Sequence, residues 1–202
     1  MVSSLSDHAD RLNFRNHRGT HLPSLILVTD EKRLPDPVAA VAQLRAGDAV
    51  LLRHYGERQR RDLAFALAAR CRAARVLLIV ALDLELARAV GADGIHFPQD
   101  TAPRAARSAQ AAGLLVTVAA HDAAAVVTAF RVGADAALVS PVFETASHPG
   151  AIPLGVVRFT ALVRDSKVPV YALGGISARS VGRLRNSGAV GVAAVEAWSN
   201  RI

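Results

Sequence analysis

His121 closes the apolar run LLVTVAAH and stands directly before Asp122. An imidazole titrating at about 6.5 can remove a proton and return it near neutral pH, which makes His121 a candidate acid–base group; a lone histidine serves equally as a structural hydrogen-bond former. A second chemistry belongs to Gly174 and Gly175 in ALGGIS, where backbone N–H groups can approach an anion and Ser177 and Ser180 follow. A tight turn alone also accounts for the pair. The stretch VSPVFETASHPGAIPLG, residues 139–155, leaves an apolar run for a loop carrying Thr145, Ser147 and His148, and raises the question of what that loop holds. Arg53 in LLRHY is either an anion clamp or a cation paired with a carboxylate. Asp30, Asp83, Asp100 and Glu196 lie near the ends of other apolar runs, as does His54, whereas His96 sits beside Phe97 and Pro98 in what reads as a packed turn.

The order of elements is what would bring these residues together. From residue 23 onward, β-branched runs (SLILVTD, AVLLRHY, VLLIVA, DGIHFP, LLVTVAAH, AALVSPVF, VPVYALGG, VGVAAVEA) alternate with segments of helical period such as ERQRRDLAFALAARCRA, LDLELARAVGA, DAAAVVTAFRVGA and SARSVGRLRNSGA. A Gly-Ala stop recurs in VGADGIHF, VGADAALV and SGAVGVAA, each copy ending one helix and opening the next strand. Eight strands apolar on both faces predict a single-domain (β/α)8 TIM barrel rather than an open doubly wound sheet. Active residues of such a barrel gather at the C-terminal strand ends, with the phosphate site after strands 7 and 8. Period-two alternation sets Leu51, Arg53 and Tyr55 on one face, and Thr117, Ala119 and His121 on another. The expected organisation is an N-terminal extension over 1–22, partly helical around SDHADRLNF, then the barrel over 23–202.

Composition removes several classes. The 202 residues are 51% apolar, enough for one large core. A single cysteine, Cys71, excludes a disulfide framework or a cysteine-based metal cluster within one chain. Lys32 and Lys167 are the only lysines, and Lys167 precedes a strand at the end opposite the expected active face, which argues against Schiff-base chemistry. The formal charge of +7 comes from singly scattered arginines with only 4% aromatics, a solvated basic surface rather than a nucleic-acid face. No secretory signal and no span of ~18 apolar residues is present, so the expected setting is cytoplasmic, with no membrane partner and room for a homo-oligomer.

GADGIHFPQD, the strand-five histidine, GADAALVSPVFETASHPGAIPLG, PVYALGGI and GAVGVAAVEA together resemble the thiamin phosphate synthase and TenI family, from residue 25 to Trp198. The resemblance implies a (β/α)8 barrel in thiamin biosynthesis. Its members either join a pyrimidine diphosphate to thiazole phosphate, a transfer, or aromatise carboxylated thiazole phosphate by tautomerisation, an isomerisation. It implies that Thr145, Ser147, Gly174, Gly175 and the backbone of Val195 and Glu196 bind the thiazole phosphate, and that His121 is the acid–base group. Glu196 departs from the family's serine. Further departures fall on the diphosphate half: Leu51 and Tyr55 replace a glutamine and a lysine on strand two, although Arg53 is kept. Ala81 and Leu82 stand for an Asn-Asp pair, Thr101 for a second acidic metal ligand, Ala119 for a serine and His148 for a lysine. The expectation is therefore a TenI-like isomerase without metal or other cofactor, with Arg53 or His148 holding the substrate carboxylate. The alternatives are a synthase using Mg²⁺ rebuilt on Asp83 and Asp100, and a non-catalytic phosphate-binding barrel.

Overall fold

The computed structural model describes residues 4–16, 22–54, 59–100, 103–145 and 150–195. Its elements in chain order are α1 (Leu5–Asn16), β1 (Leu25–Val28), α2 (Pro37–Ala40), β2 (Ala49–Leu52), α3 (Arg60–Ala74), β3 (Leu77–Ala81), α4 (Leu84–Val90), β4 (Gly94–Phe97), α5 (Pro103–Ala111), β5 (Leu115–Ala120), α6 (Ala123–Arg131), β6 (Ala136–Val139), α7 (Gly155–Asp165), β7 (Val170–Ala172) and β8 (Gly191–Ala194). Every strand pairs in parallel with the next, and β8 returns to β1 through Ile26↔Ala193, closing the barrel. This is the (β/α)8 barrel expected from the alternating pattern.

Alternation along the strands separates two environments. Ile26, Val28, Ala49, Leu51, Ile79, Ala81, Leu138, Tyr171 and Ala193 fill the barrel interior. Their neighbours Leu27, Val50, Leu52, Leu78 and Val80 face outward and pack under α3 and α4. Each large apolar side chain removed from water in this way contributes roughly 1.5–3 kcal/mol. Such burial on both faces explains why the strands read as continuous apolar runs.

The helix α1 lies against the N-terminal strand ends. The Asn13 side-chain amide donates to the carbonyls of Leu22 (3.1 Å) and Val190 (3.0 Å), and Asn16 donates to that of Ala189 (2.9 Å). The Tyr171 hydroxyl donates to the Pro23 carbonyl at the same end (2.6 Å). The opposite end, where the C-termini of the strands lie, is thereby left as the mouth.

Two segments with helical patterning behave differently. PVAAVAQLRAG forms one short α-helical turn and then a 3-10 turn over Val41–Gln43. SARSVGRLRNSGA forms only a 3-10 turn over Val181–Leu184. In the latter, Ser177 and Ser180 bond local backbone instead: the Ser180 hydroxyl donates to the Gly175 carbonyl (2.8 Å) and accepts from the Ser177 amide (2.9 Å). Hydroxyl side chains that satisfy backbone groups locally compete with helix, and Gly182 lowers the propensity further.

Candidate active site at the barrel mouth

His121 follows β5, and its ring is fixed from the neighbouring strand end. Its Nδ1 lies 2.7 Å from the Ser140 carbonyl oxygen. A carbonyl only accepts, so Nδ1 carries the proton and donates, leaving Nε2 as the basic nitrogen of the neutral ring. The side chain is exposed, and Asp122 beside it is occupied in capping α6, its Oδ1 accepting from the Ala125 amide at 2.8 Å. One strand end therefore holds both an oriented imidazole and the start of the next helix.

The glycine turn after β7 is set by a close approach. Gly174 and Gly175 have φ of +91° and +65°, and a Cβ on either would lie 2.8 Å from Pro141 Cα or 2.7 Å from Phe143 Cβ, respectively. The loop after β6 is bonded onto this turn, with the Val142 amide donating to Leu173 O (2.9 Å) and that of Phe143 to Gly174 O (3.0 Å). The Arg183 guanidinium stacks 4.8 Å from the Phe143 ring centroid. Among the described residues the amides of Gly174 and Gly175 donate to no acceptor, the condition an anion cradle requires. Thr145 is half-buried and engaged in contacts, and Val195 is buried in the barrel interior beyond β8. Ser147, His148 and Glu196 lie outside the described residues, as do Tyr55 and Thr101.

Across the mouth, Arg53 is paired with a carboxylate, one of the two roles read from its position. Its guanidinium donates to Asp30 Oδ2 at 3.1 Å, while Arg33 donates to the same oxygen at 3.0 Å. The Asp30 Oδ1 accepts from the amides of Lys32 and Arg33, both at 3.1 Å. The Arg33 hydrogen bond foremost holds the Asp30 carboxyl well below its usual range, at about 2. His54 is turned away from the mouth and buried, its Nδ1 2.8 Å from Thr29 Oγ1. His96 is buried within the barrel with Nδ1 2.9 Å from Thr117 Oγ1. Burial, then the Arg53 charge, lowers its pKa to about 4, so it is a neutral polar pair with Thr117 rather than a proton donor.

Sequence reasoning overlooked Arg60. It opens α3, and its guanidinium reaches the end of β3, donating through Nη2 to the Ala81 carbonyl and lying 3.9 Å through Nη1 from Asp83 Oδ2. Asp83 itself caps α4 by accepting from the Leu86 amide at 2.8 Å. A divalent ion bridging a diphosphate asks for one or two carboxylates free to ligate it. Asp30, Asp83 and Asp122 are each engaged by guanidinium groups or helix amides, Asp100 sits on an exposed turn, and no three acidic, histidine or cysteine side chains come together among the described residues. Among the described residues, no carboxylates are gathered to hold such an ion.

A closed barrel of eight parallel strands, with an oriented histidine and a left-handed glycine turn at one mouth, has the architecture of a barrel enzyme that acts on small molecules. The family model described as thiamine monophosphate synthase matches residues 25–198, and the chain belongs to that family, whose setting is thiamine biosynthesis and whose substrates are small and phosphorylated. Among its relatives, a thiamine-phosphate synthase of Salinispora arenicola is 35% identical over 89% of this chain and 90% of its own. A putative thiamine-phosphate synthase 2 of Aquifex aeolicus is 29% identical over 86% of this chain and 96% of its own. The solved structure of thiamine phosphate pyrophosphorylase from Pyrococcus furiosus superposes with a TM-score of 0.73 at 26% identity, covering 91% of this chain and 88% of that one. These names belong to the coupling reaction, and they favour the synthase alternative over the isomerase read first from the sequence. No helix among the described residues is long and apolar enough to cross a membrane.

Proposed function

We propose that this protein isomerises a carboxylated, phosphorylated dihydrothiazole to its aromatic form, using His121 as the proton-transfer group and no cofactor. The observation that carries this reading is the contrast at the mouth: an imidazole oriented with Nε2 available stands among carboxylates that are already engaged. Nε2 takes a proton from the dihydrothiazole ring, and the positive charge this creates is stabilised by the Nδ1–H bond to the Ser140 carbonyl. The same nitrogen returns the proton to the carbon that completes the aromatic system, so no group is transferred. The strand-six loop and the Gly174–Gly175 turn hold the phosphate, fixing the ring beside His121.

The names of the relatives support a second reading, the joining of a pyrimidine diphosphate to thiazole phosphate with release of diphosphate. One pair of assays decides between them. The protein is given the pyrimidine diphosphate, thiazole phosphate and Mg²⁺, and separately the carboxylated dihydrothiazole phosphate in chelator, with aromatic absorbance followed. Turnover confined to the second mixture is expected; thiamine phosphate formed in the first, and lost with chelator, establishes the synthase instead.

A further inference from the structure

The guanidinium of Arg60 is a largely buried cation, its side chain 14% exposed. Its Nη2 donates to a neutral carbonyl, the nearest carboxylate oxygen among the described residues is 3.9 Å away, beyond hydrogen-bond reach, and its Nε–H is buried without an acceptor. Buried charges are ordinarily paired and hydrogen-bonded, because withdrawing them from water is costly. The turn beneath it is also strained: Leu82 has φ +64° and is 50% exposed, a left-handed conformation that costs a leucine about 1 kcal/mol or more. Both features lie at the C-terminal end of β3. The register Leu51↔Ile79 places Arg53, two residues past Leu51, alongside Ala81, whose carbonyl binds Arg60. Arg53 and Arg60 thus share this side of the mouth, Arg53 paired with Asp30 and Arg60 lying 3.9 Å from Asp83.

In the closed order of eight strands, β3 lies opposite β7, and β5 lies midway between them. A ligand reaching from the glycine turn after β7 to the end of β3 spans the mouth, with His121 on the rim at β5, two strands from either end. We propose that Arg60, with Arg53 beside it, is a second anion-binding point, so that the mouth selects a ligand with a phosphate at one end and a carboxylate at the other. This rests on the isomerase reading and names the residue that would recognise its substrate's carboxylate. A carboxylate supplies the in-plane acceptor oxygens that the guanidinium lacks.

Calorimetric binding tests it without turnover. The probes are hydroxyethylthiazole phosphate, its 2-carboxylate and inorganic diphosphate. The wild-type protein should bind the carboxylate at least about tenfold more tightly than the parent phosphate, the order expected of one charge-assisted contact. Arg60→Gln should erase that preference while leaving parent-phosphate binding unchanged, and Arg60→Lys, which keeps the charge without the planar fork, should retain part of it. Binding of the parent phosphate reports that each variant is folded, and should Arg60→Gln lose it, Arg60→Lys decides. An unchanged preference in the folded variant overturns the proposal, as does a wild-type protein indifferent to the carboxylate. If diphosphate binding collapses in the variant while carboxylate preference does not, the anion is a phosphoanhydride and the carboxylate assignment is wrong. A wild-type protein that prefers the carboxylate yet isomerises nothing keeps the Arg60 site and sinks the isomerase reading alone.

Discussion

The tautomer of His121 is dictated by a partner that cannot be read locally. Ser140 lies on the next strand, and the group it offers is a backbone carbonyl, so the histidine's position was legible in LLVTVAAH but its orientation was not. Replacing His121 with Asn should lower isomerisation by at least about 10²-fold. Phosphate-ligand affinity should stay as in the wild type, since the cradle lies at β7; a variant with full turnover removes the assignment. Arg60 was hidden for a different reason. In RQRRDLAF nothing distinguishes it from Arg61, yet Arg60 folds inward over β3 while Arg61 is exposed beside Phe65. Only tertiary packing separates the two. Gly175 was legible as a turn residue, and the structure adds that its φ of +65° and the nearness of Phe143 leave no space for a side chain. Gly175→Ala should therefore cost about 1–3 kcal/mol of stability and weaken phosphate binding together, by denaturant titration and calorimetry on one sample. Loss of neither would mean the loop after β6 yields freely.

At the scale of elements, two of the three recurrent Gly-Ala stops, at Gly91 and Gly133, marked helix-to-strand junctions correctly, whereas the third, at Gly188, follows a 3-10 turn. Gly91 ends α4 with φ +64°, its amide bonded back to Arg88 O and that of Ala92 to Ala87 O. What the repeat did not disclose is the work of the aspartate that follows in two of its copies. Asp93 Oδ2 accepts from the Leu78 amide at 2.8 Å, and Asp135 Oδ2 from the Val116 amide at 2.7 Å, so each clasps the start of the preceding strand to its own junction. A sequence pattern shows spacing along the chain, whereas this bond crosses between strands. Asp135→Ala strands the Val116 amide in a buried position and should cost about 1–3 kcal/mol, lowering the melting temperature by several degrees. Turnover at low temperature should persist, because β5 still carries His121. Melting equal to the wild type would show that water replaces the clasp at no cost. The strands were legible because burial on both faces imposes continuous apolar runs. The segment after β7 was misread as helix because Ser177 and Ser180 bond the Gly175 turn, an interaction helical periodicity does not report.

At the scale of the whole molecule, two acid-sensitive buried groups among the described residues, His96 and Asp48, lie at different depths of the barrel, with opposite effects on stability. His96 is held neutral among the interior side chains, its pKa lowered from 6.5 to about 4 by burial and by Arg53. Above about pH 6.5 its burial carries no protonation cost; as pH falls from there towards 4 the unfolded chain takes up a proton that the folded one refuses, so stability is lost. Asp48 precedes β2 at the closed end, and burial raises its carboxyl from 3.8 to about 6, against the Arg45 amide that donates to it at 2.8 Å. Between about pH 4 and 6 the folded state holds the extra proton at Asp48, so stability there falls as pH rises. The two slopes oppose each other over the same interval, and the wild-type denaturant midpoint should vary little across it until Asp30, already ionised down to about 2, begins to protonate and release Arg53 and Arg33. Asp48→Asn retains an acceptor for the Arg45 amide and removes one slope, leaving a midpoint that drops steadily from pH 6.5 to 4. His96→Gln retains a partner for Thr117 and removes the other, leaving a midpoint that drops from pH 4 to 6. Urea titrations at closely spaced pH values measure both, and variants whose profiles merely parallel the wild type would show that neither group carries the charge state its burial implies.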